Sequence, residues 1–222
     1  MPDATPPRWT AVLLDWQNIY KCARDAFGLT EHPSVAGAVD PLKLARHLAT
    51  IVENGRLQEV RIYRGRPDND RDPKGYSAWR SQTAAWQSSM GETLIPRYRD
   101  LKYRGGAVME KGIDVWLAID LVKLAMDKAV DRVVVVTSDT DLVPAVELAA
   151  EIVGAPFVEV AGWTGNFPSA EVLAVDGVPR HQLDATLYER FHDDTDYNLS
   201  LRVRKRTGWS AQIEAEGKKR RS

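Results

Sequence analysis

Val133-Val134-Val135-Val136-Thr137-Ser138-Asp139-Thr140-Asp141 decides the fold: four β-branched residues in succession, then two carboxylates two positions apart among three hydroxyls. An apolar run without alternation reads as a strand buried on both faces, as in a parallel sheet covered by helices. Open α/β sheets bind their ligands at the carboxyl ends of strands, so both acids fall at a place suited to chemistry. Adjacent like charges repel unless a cation or a proton neutralises them.

Outward from this junction the same grammar recurs. Ala11-Val12-Leu13-Leu14 is a second short apolar run ending on Asp15, and Ile19, Tyr20, Ala23 and Phe27 follow at helical spacing as far as Gly28. Residues 29–39 read as loop. Asp40-Pro41 starts a helix, with aspartate as N-cap and proline at the first helical position; Asn54-Gly55 stops it. A strand is predicted over 57–64, a polar loop over 65–74, a helical stripe through Trp79, Thr83, Trp86 and Met90, and a brief strand at Thr93-Leu94-Ile95. The basic, glycine-containing stretch 97–111 reads as a loop that opens a helix over 113–130. After the valine strand come a helix over 141–153 and a strand over 157–161. Strands alternating with helices predict an α/β fold with a mainly parallel central sheet and helices on both faces.

The 222 residues suit one domain with a substantial core, and 44% hydrophobic and 27% charged residues are values of an ordinary globular chain. The partition expected is an N-terminal extension over 1–9, a folded domain over 10–192 and a basic tail over 193–222. Single Cys22 excludes an internal disulfide and a four-cysteine zinc site, and fits a reducing cytoplasm. No apolar stretch is long enough for a membrane helix, and the first residues lack the basic-then-apolar pattern of a signal peptide. The formal charge of −1 conceals an asymmetry: residues 199–222 carry a net +6 and the remainder −7. Such a tail is a layout for a nucleic-acid arm and equally for a solvated end. No phosphate-cradling glycine motif is present, which leaves nucleotide cofactors without support.

Asp15 ends the first strand and falls on the same sheet edge as Asp139 and Asp141. On a wheel at about 100° per residue, Asp114 shares the direction of Leu117, Ala118, Leu121 and Ala125 within roughly 60°. This predicts Asp114 on the core-facing stripe, where a lone carboxylate needs a partner. Asp120, with Lys123 and Asp127, is predicted on the solvated face and outside the site. His32, His47, His181 and His192 show no ligand spacing and read as structural or exposed. An oxygen-only cluster selects Mg²⁺ or Mn²⁺ over zinc, and such ions suit phosphoryl chemistry by an activated water.

Lys111-Gly112-Ile113-Asp114-Val115-Trp116-Leu117-Ala118-Ile119-Asp120-Leu121, followed by the valine strand and Thr137-Ser138-Asp139-Thr140-Asp141-Leu142-Val143-Pro144-Ala145-Val146, closely resembles the NYN domain, a group of PIN-like, metal-dependent ribonucleases that includes the LabA proteins. Leu14-Asp15-Trp16-Gln17-Asn18-Ile19-Tyr20 is similar to the same family's first motif. The resemblance spans roughly 10–190 and implies a three-layer α/β/α PIN-like, Rossmann-like fold. It implies that Asp15, Asp114, Asp139 and Asp141 bind one or two Mg²⁺ or Mn²⁺ ions, with Asn18 beside them. Where the family commonly has Gly-Asn or Ala-Asn after the first acid, Trp16-Gln17 stands here and narrows the entrance.

Arg97, Arg99, Lys102, Arg104 and Lys111 surround Tyr98 and Tyr103 just before the Asp114 helix. Cations there counter repulsion of an RNA backbone by the acids, and tyrosines can stack unpaired bases. Lys111 lies one turn before Asp114 in the family-like motif. A second basic region comprises Arg61, Arg64, Arg66, Arg71 and Lys74. Trp163 and Asn166 are placed at the border of the site or in packing. The expected function is a metal-dependent endoribonuclease acting on single-stranded or structured RNA, with Asn18 and Ser138 orienting the attacking water. The alternatives are a non-catalytic RNA- or protein-binding module on the same fold, and a haloacid-dehalogenase-like phosphatase with Asp139 as nucleophile. The latter lacks a lysine between Val143 and Lys205. The pattern does not forbid a homodimer.

Overall fold

The computed structural model describes residues 6–154, 157–165 and 172–198. In chain order the elements are β1 (Arg8–Asp15), α1 (Trp16–Ala26), α2 (Pro41–Thr50), β2 (Gly55–Arg66), α3 (Pro73–Met90), β3 (Leu94–Asp100), β4 (Lys102–Arg104), β5 (Ala107–Met109), α4 (Ile113–Asp127), β6 (Arg132–Val136), α5 (Val143–Val153), β7 (Val158–Trp163), β8 (Arg180–Leu183) and α6 (Ala185–Phe191). Six strands form one parallel sheet in the order β3-β2-β1-β6-β7-β8, and β4 and β5 form a separate antiparallel hairpin. The chain builds outward from β1 through β2 and β3, then returns through the hairpin and α4 to place β6 on the other side of β1. The strand order therefore reverses between β1 and β6, the crevice where open sheets bind ligands.

The unbroken valine run follows from this arrangement, because both faces of the sheet are covered. Val12, Leu14, Val134 and Val136 pack with Ile19 of α1, Leu44 and Leu48 of α2, Trp86 of α3 and Tyr188 of α6. Their neighbours Ala11, Leu13, Val133 and Val135 pack with Leu117 and Leu121 of α4 and Val146 and Ala149 of α5. Each fully buried valine contributes roughly 1.5–3 kcal/mol relative to an exposed one. The Asp40 carboxylate caps α2, accepting the amides of Leu42 and Lys43 at 2.9 and 3.1 Å, with Pro41 in the first turn.

Several boundaries differ from the local reading. The segment 97–100, expected as loop, continues β3: its register with β2 runs as far as Arg66↔Asp100. Tyr98 packs against the core while Arg97 and Arg99 point to the other side, so an edge strand's charges hide its period of two. The helix expected to reach 130 ends at Asp127, where Lys128 takes a left-handed conformation with φ 48°. β8 and α6 lie in sequence with no apolar alternation strong enough to announce them. Calls on Asn166 and on the tail from 199 onward fall outside the described residues.

Asp120 required correction. It is 6% exposed and accepts from the Tyr63 hydroxyl at 2.8 Å and Arg97 Nε at 2.6 Å, with Arg61 Nη1 at 3.2 Å. The flank of α4 that the wheel assigned to water faces β2 and β3, whose arginines satisfy the carboxylate. The converse holds on the far flank, where Val115, Ile119 and Met126 are exposed.

Candidate metal centre

Asp15 leaves the end of β1 and caps α1, its Oδ1 accepting the Asn18 amide at 3.3 Å. Its Oδ2 accepts from the Thr137 hydroxyl at 3.0 Å, across the β1–β6 crevice. Thr137 Oγ1 in turn accepts the Asp139 amide at 3.1 Å, and Asp139 Oδ1 accepts the Asp141 amide at 3.0 Å. Asn18 Oδ1 accepts the Ser138 amide at 2.8 Å and the Cys22 thiol at 3.6 Å. This lattice ties two strand ends, about 120 residues apart in sequence, into one rigid floor.

Asp114 reaches the floor from the first turn of α4. The expectation that it faces the core is corrected: the residue is exposed. The start of α4 overhangs the sheet edge, so the direction that is core-facing one turn later opens into the crevice at Asp114. Oxygens of Asp15, Asp114 and Asp139 lie within 4.8 Å of one another. Asp15 is 4% exposed, and burial raises its carboxyl to about 7 despite the bonds from Thr137 and Asn18; the charges of Asp114 and Asp139 add to the rise. Burial, Asp139 and Asp141 raise Asp114 as well. Among the described residues, no Lys, Arg or His is ion-paired with any of the three. Three hard oxygen donors that converge without a paired basic group form a carboxylate cluster able to hold a metal ion.

Asp141 lies outside that group of three. It is exposed, its charge bears on Asp114, and the two residues stand at the head of an apolar groove between α4 and α5 lined by Ile119, Met126 and Leu148. Ser138 Oγ is turned toward Gly162, where an added Cβ would approach it to 3.2 Å, and toward the Cys22 thiol. Asn18 retains only its amide NH₂ for a ligand.

The basic residues divide. Lys102, Tyr103, Arg104 and Lys111 line one concave face of the β4–β5 hairpin with Arg71. Tyr103 is anchored there, its hydroxyl accepting the Asp68 amide at 3.1 Å and the Arg71 guanidinium 5.6 Å over its ring. Arg99 lies against Gly112, whose φ of 72° favours glycine, at the entrance to α4. Arg97 is committed elsewhere, to Asp120 and to the Trp116 ring at 5.4 Å. The second basic region disperses likewise: Arg61 pairs with Glu59 and Asp120, Arg66 with Asp100, and Arg64 turns inward to Gln82. Trp163 is packing, its Nε1 donating to the Ile19 carbonyl at 3.0 Å.

Two residues that sequence reasoning did not single out belong to this region. Thr137 holds both strand-end acids; a hydroxyl at the end of the valine strand, two positions before the acid pair, was the available signal. Glu110 accepts the Gly65 amide, and burial and the Asp114 charge raise its carboxyl. One acid inside a basic loop carried no signal.

Residues 9–153 match the family model described as the NYN domain. A crystal structure of a protein of unknown function from Vibrio parahaemolyticus is similar, with a TM-score of 0.52 and 20% identity over 82% of this chain and 97% of that one. That likeness concerns the fold. No curated protein matches the chain.

Proposed function

The chain belongs to the NYN domain family, within the PIN-like nuclease superfamily, and from that premise we propose that it is a metal-dependent endoribonuclease acting on single-stranded or structured RNA. The observation that carries this reading is the convergence of Asp15, Asp114 and Asp139 without a pairing cation. These three carboxylates would hold one or two Mg²⁺ or Mn²⁺ ions, with Asp141 at the rim. Such an ion would supply charge stabilisation at the phosphate and lower the pKa of a water for in-line attack. The Thr137 hydroxyl fixes the position of the Asp15 carboxylate by its hydrogen bond. Lys111, Lys102, Arg104 and Arg99 steady the RNA backbone, and Tyr103 offers a face for a base. The Asn18 NH₂ orients the attacking water.

The basic tail is assigned a second, nonspecific contact to RNA. Among the described residues no helix is long and apolar enough to cross a membrane, and the free Cys22 suits a cytoplasmic location. Labelled RNA incubated with Mg²⁺, Mn²⁺ or EDTA, with wild type against Asp139→Asn, tests the function. Cleavage that survives EDTA or the substitution removes it. Tight binding without cleavage under every metal condition assigns the chain to RNA binding alone.

A further inference from the structure

A cavity of about 340 Å³ lies between the start of α1, the end of β2 and α3. Its walls include Trp16 and Gln17, which directly follow Asp15, Arg64 of β2, Trp79 and Gln82 of α3, and Glu110, four residues before Asp114. The volume suits a small planar ligand. The aromatic walls are rigid: Trp16 stands edge-on to Trp86 with centroids 4.5 Å apart, and Trp79 is stacked on Tyr76 and edge-on to Tyr98.

Two polar groups on these walls have unspent hydrogen-bonding capacity. Arg64 donates to Gln82 Oε1 at 2.5 Å and lies 5.5 Å over the Trp86 ring, yet among the described residues it has no ion pair. Burial lowers its pKa to about 10, so it remains charged at neutral pH, with most of its five donors unused. One Glu110 oxygen accepts the Gly65 amide, which leaves the other for an outside donor. Arg64 and Glu110 feel each other's charge across the cavity without pairing.

An acceptor set beside a guanidinium, between aromatic walls, complements a flat heterocycle that carries a ring N–H next to a carbonyl. We propose that this cavity receives a keto nucleobase, guanine or uracil, from an RNA strand whose backbone would meet the neighbouring metal centre, an inference that rests on the ribonuclease reading. Glu110 accepts the ring N–H, Arg64 donates to the carbonyl, and Trp16 and Trp79 cover the faces. Adenine and cytosine present a ring-nitrogen acceptor beside an amino donor at the same edge. That pattern sets acceptor against Glu110 and donor against Arg64, leaving buried groups unpaired.

The full chain in EDTA, where the metal-dependent reaction is silent, is titrated with GMP, UMP, AMP and CMP by calorimetry and tryptophan fluorescence. At least one of GMP and UMP is expected to bind about tenfold or more tighter than AMP and CMP, and the ratio of the two identifies the base. Glu110→Gln keeps an oxygen for Gly65 but turns an amide donor into the cavity, and it is expected to erase the preference. Trp79→Leu is the second variant, expected to weaken binding of the preferred base about tenfold through lost stacking. Equal affinity for all four nucleotides, no binding, a preference that persists in Glu110→Gln, or undiminished binding in Trp79→Leu overturns the proposal. Cleavage of RNA with Mn²⁺ is read on the same wild-type preparation. Cleavage without nucleotide preference overturns the base site and leaves the ribonuclease reading intact; keto-base binding without cleavage supports the base site and removes that reading.

Discussion

The Thr137 hydroxyl donates to Asp15 Oδ2 at 3.0 Å while accepting the Asp139 amide at 3.1 Å, so one side chain sets the positions of both strand-end acids. Thr137→Val keeps the shape and removes both bonds. It is expected to lower Mn²⁺ affinity about 10–100-fold, the usual cost of losing a group that orients a metal ligand. Thr137→Ser is expected to restore most of it. Calorimetric titration with Mn²⁺ checks both; unchanged affinity in the valine variant would mean that Asp15 needs no such support.

The metal-free protein is expected to lose stability as pH rises through neutrality. Burial holds the folded Asp15 carboxyl at about 7, above its ordinary value of 3.8. The folded state therefore binds this proton more tightly than the unfolded chain does. Its contribution is fully present below pH 3.8 and declines until pH passes about 7, by about 4 kcal/mol in total. Urea midpoints measured in EDTA from pH 5 to 8 should fall along this course, and saturating Mn²⁺ should flatten it.

Asp114 and Asp141 are expected to part company in metal binding. A ligand at 100 times its Kd stabilises the folded state by about 2.7 kcal/mol. Asp114→Asn should abolish the Mn²⁺-induced rise in melting temperature, because its oxygen belongs to the group converging within 4.8 Å. Asp141→Asn should keep most of that rise. Equal loss in both variants would place all four carboxylates on the metal.

At the opposite sheet edge Arg132, fully buried, donates to Glu159 and to the Leu48 carbonyl, and His181 contacts the same carboxylate. Burial pushes Glu159 up, but the bonds from His181 and Arg132 outweigh it and hold the group down at about 2. Its ordinary value is 4.5, so its stabilisation is present above that pH and is lost as pH falls toward 2, amounting to about 3 kcal/mol. Glu159→Gln strands a buried guanidinium and should cost about 3–5 kcal/mol at pH 7 in urea unfolding. Metal affinity should be unchanged, since the network lies away from the crevice.

The features legible in the sequence were those written in local backbone geometry. The valine run and Asp40-Pro41 each specify their element within one turn or one strand. Asp120 was misplaced because a wheel ranks apolar residues on a single helix, whereas its partners Tyr63, Arg61 and Arg97 come from β2 and β3. Arg97 read as a cation for the RNA backbone and Arg64 as part of a second basic region for the same reason: their commitments to Asp120 and Gln82 are made across elements. β8 was missed because a short polar edge strand is defined by its pairing with β7 and by little in its own residues.

By itself, the sequence determined an alternation of buried strands and helices and the presence of acids at two strand ends, because strand and helix periods are properties of the backbone. The family resemblance grouped Asp15, Asp114, Asp139 and Asp141; tertiary structure decided that three of them converge and that Asp141 stands outside. Asp15 and Asp139 share a floor because β6 lies beside β1 in register, a pairing about 120 residues apart that packing on both faces selects. The placement of α4 over that edge brings Asp114 to them, leaves Asp141 at the rim, and buries Asp120 among arginines. Convergence of charge is a nonlocal property, set by strand order and helix seating.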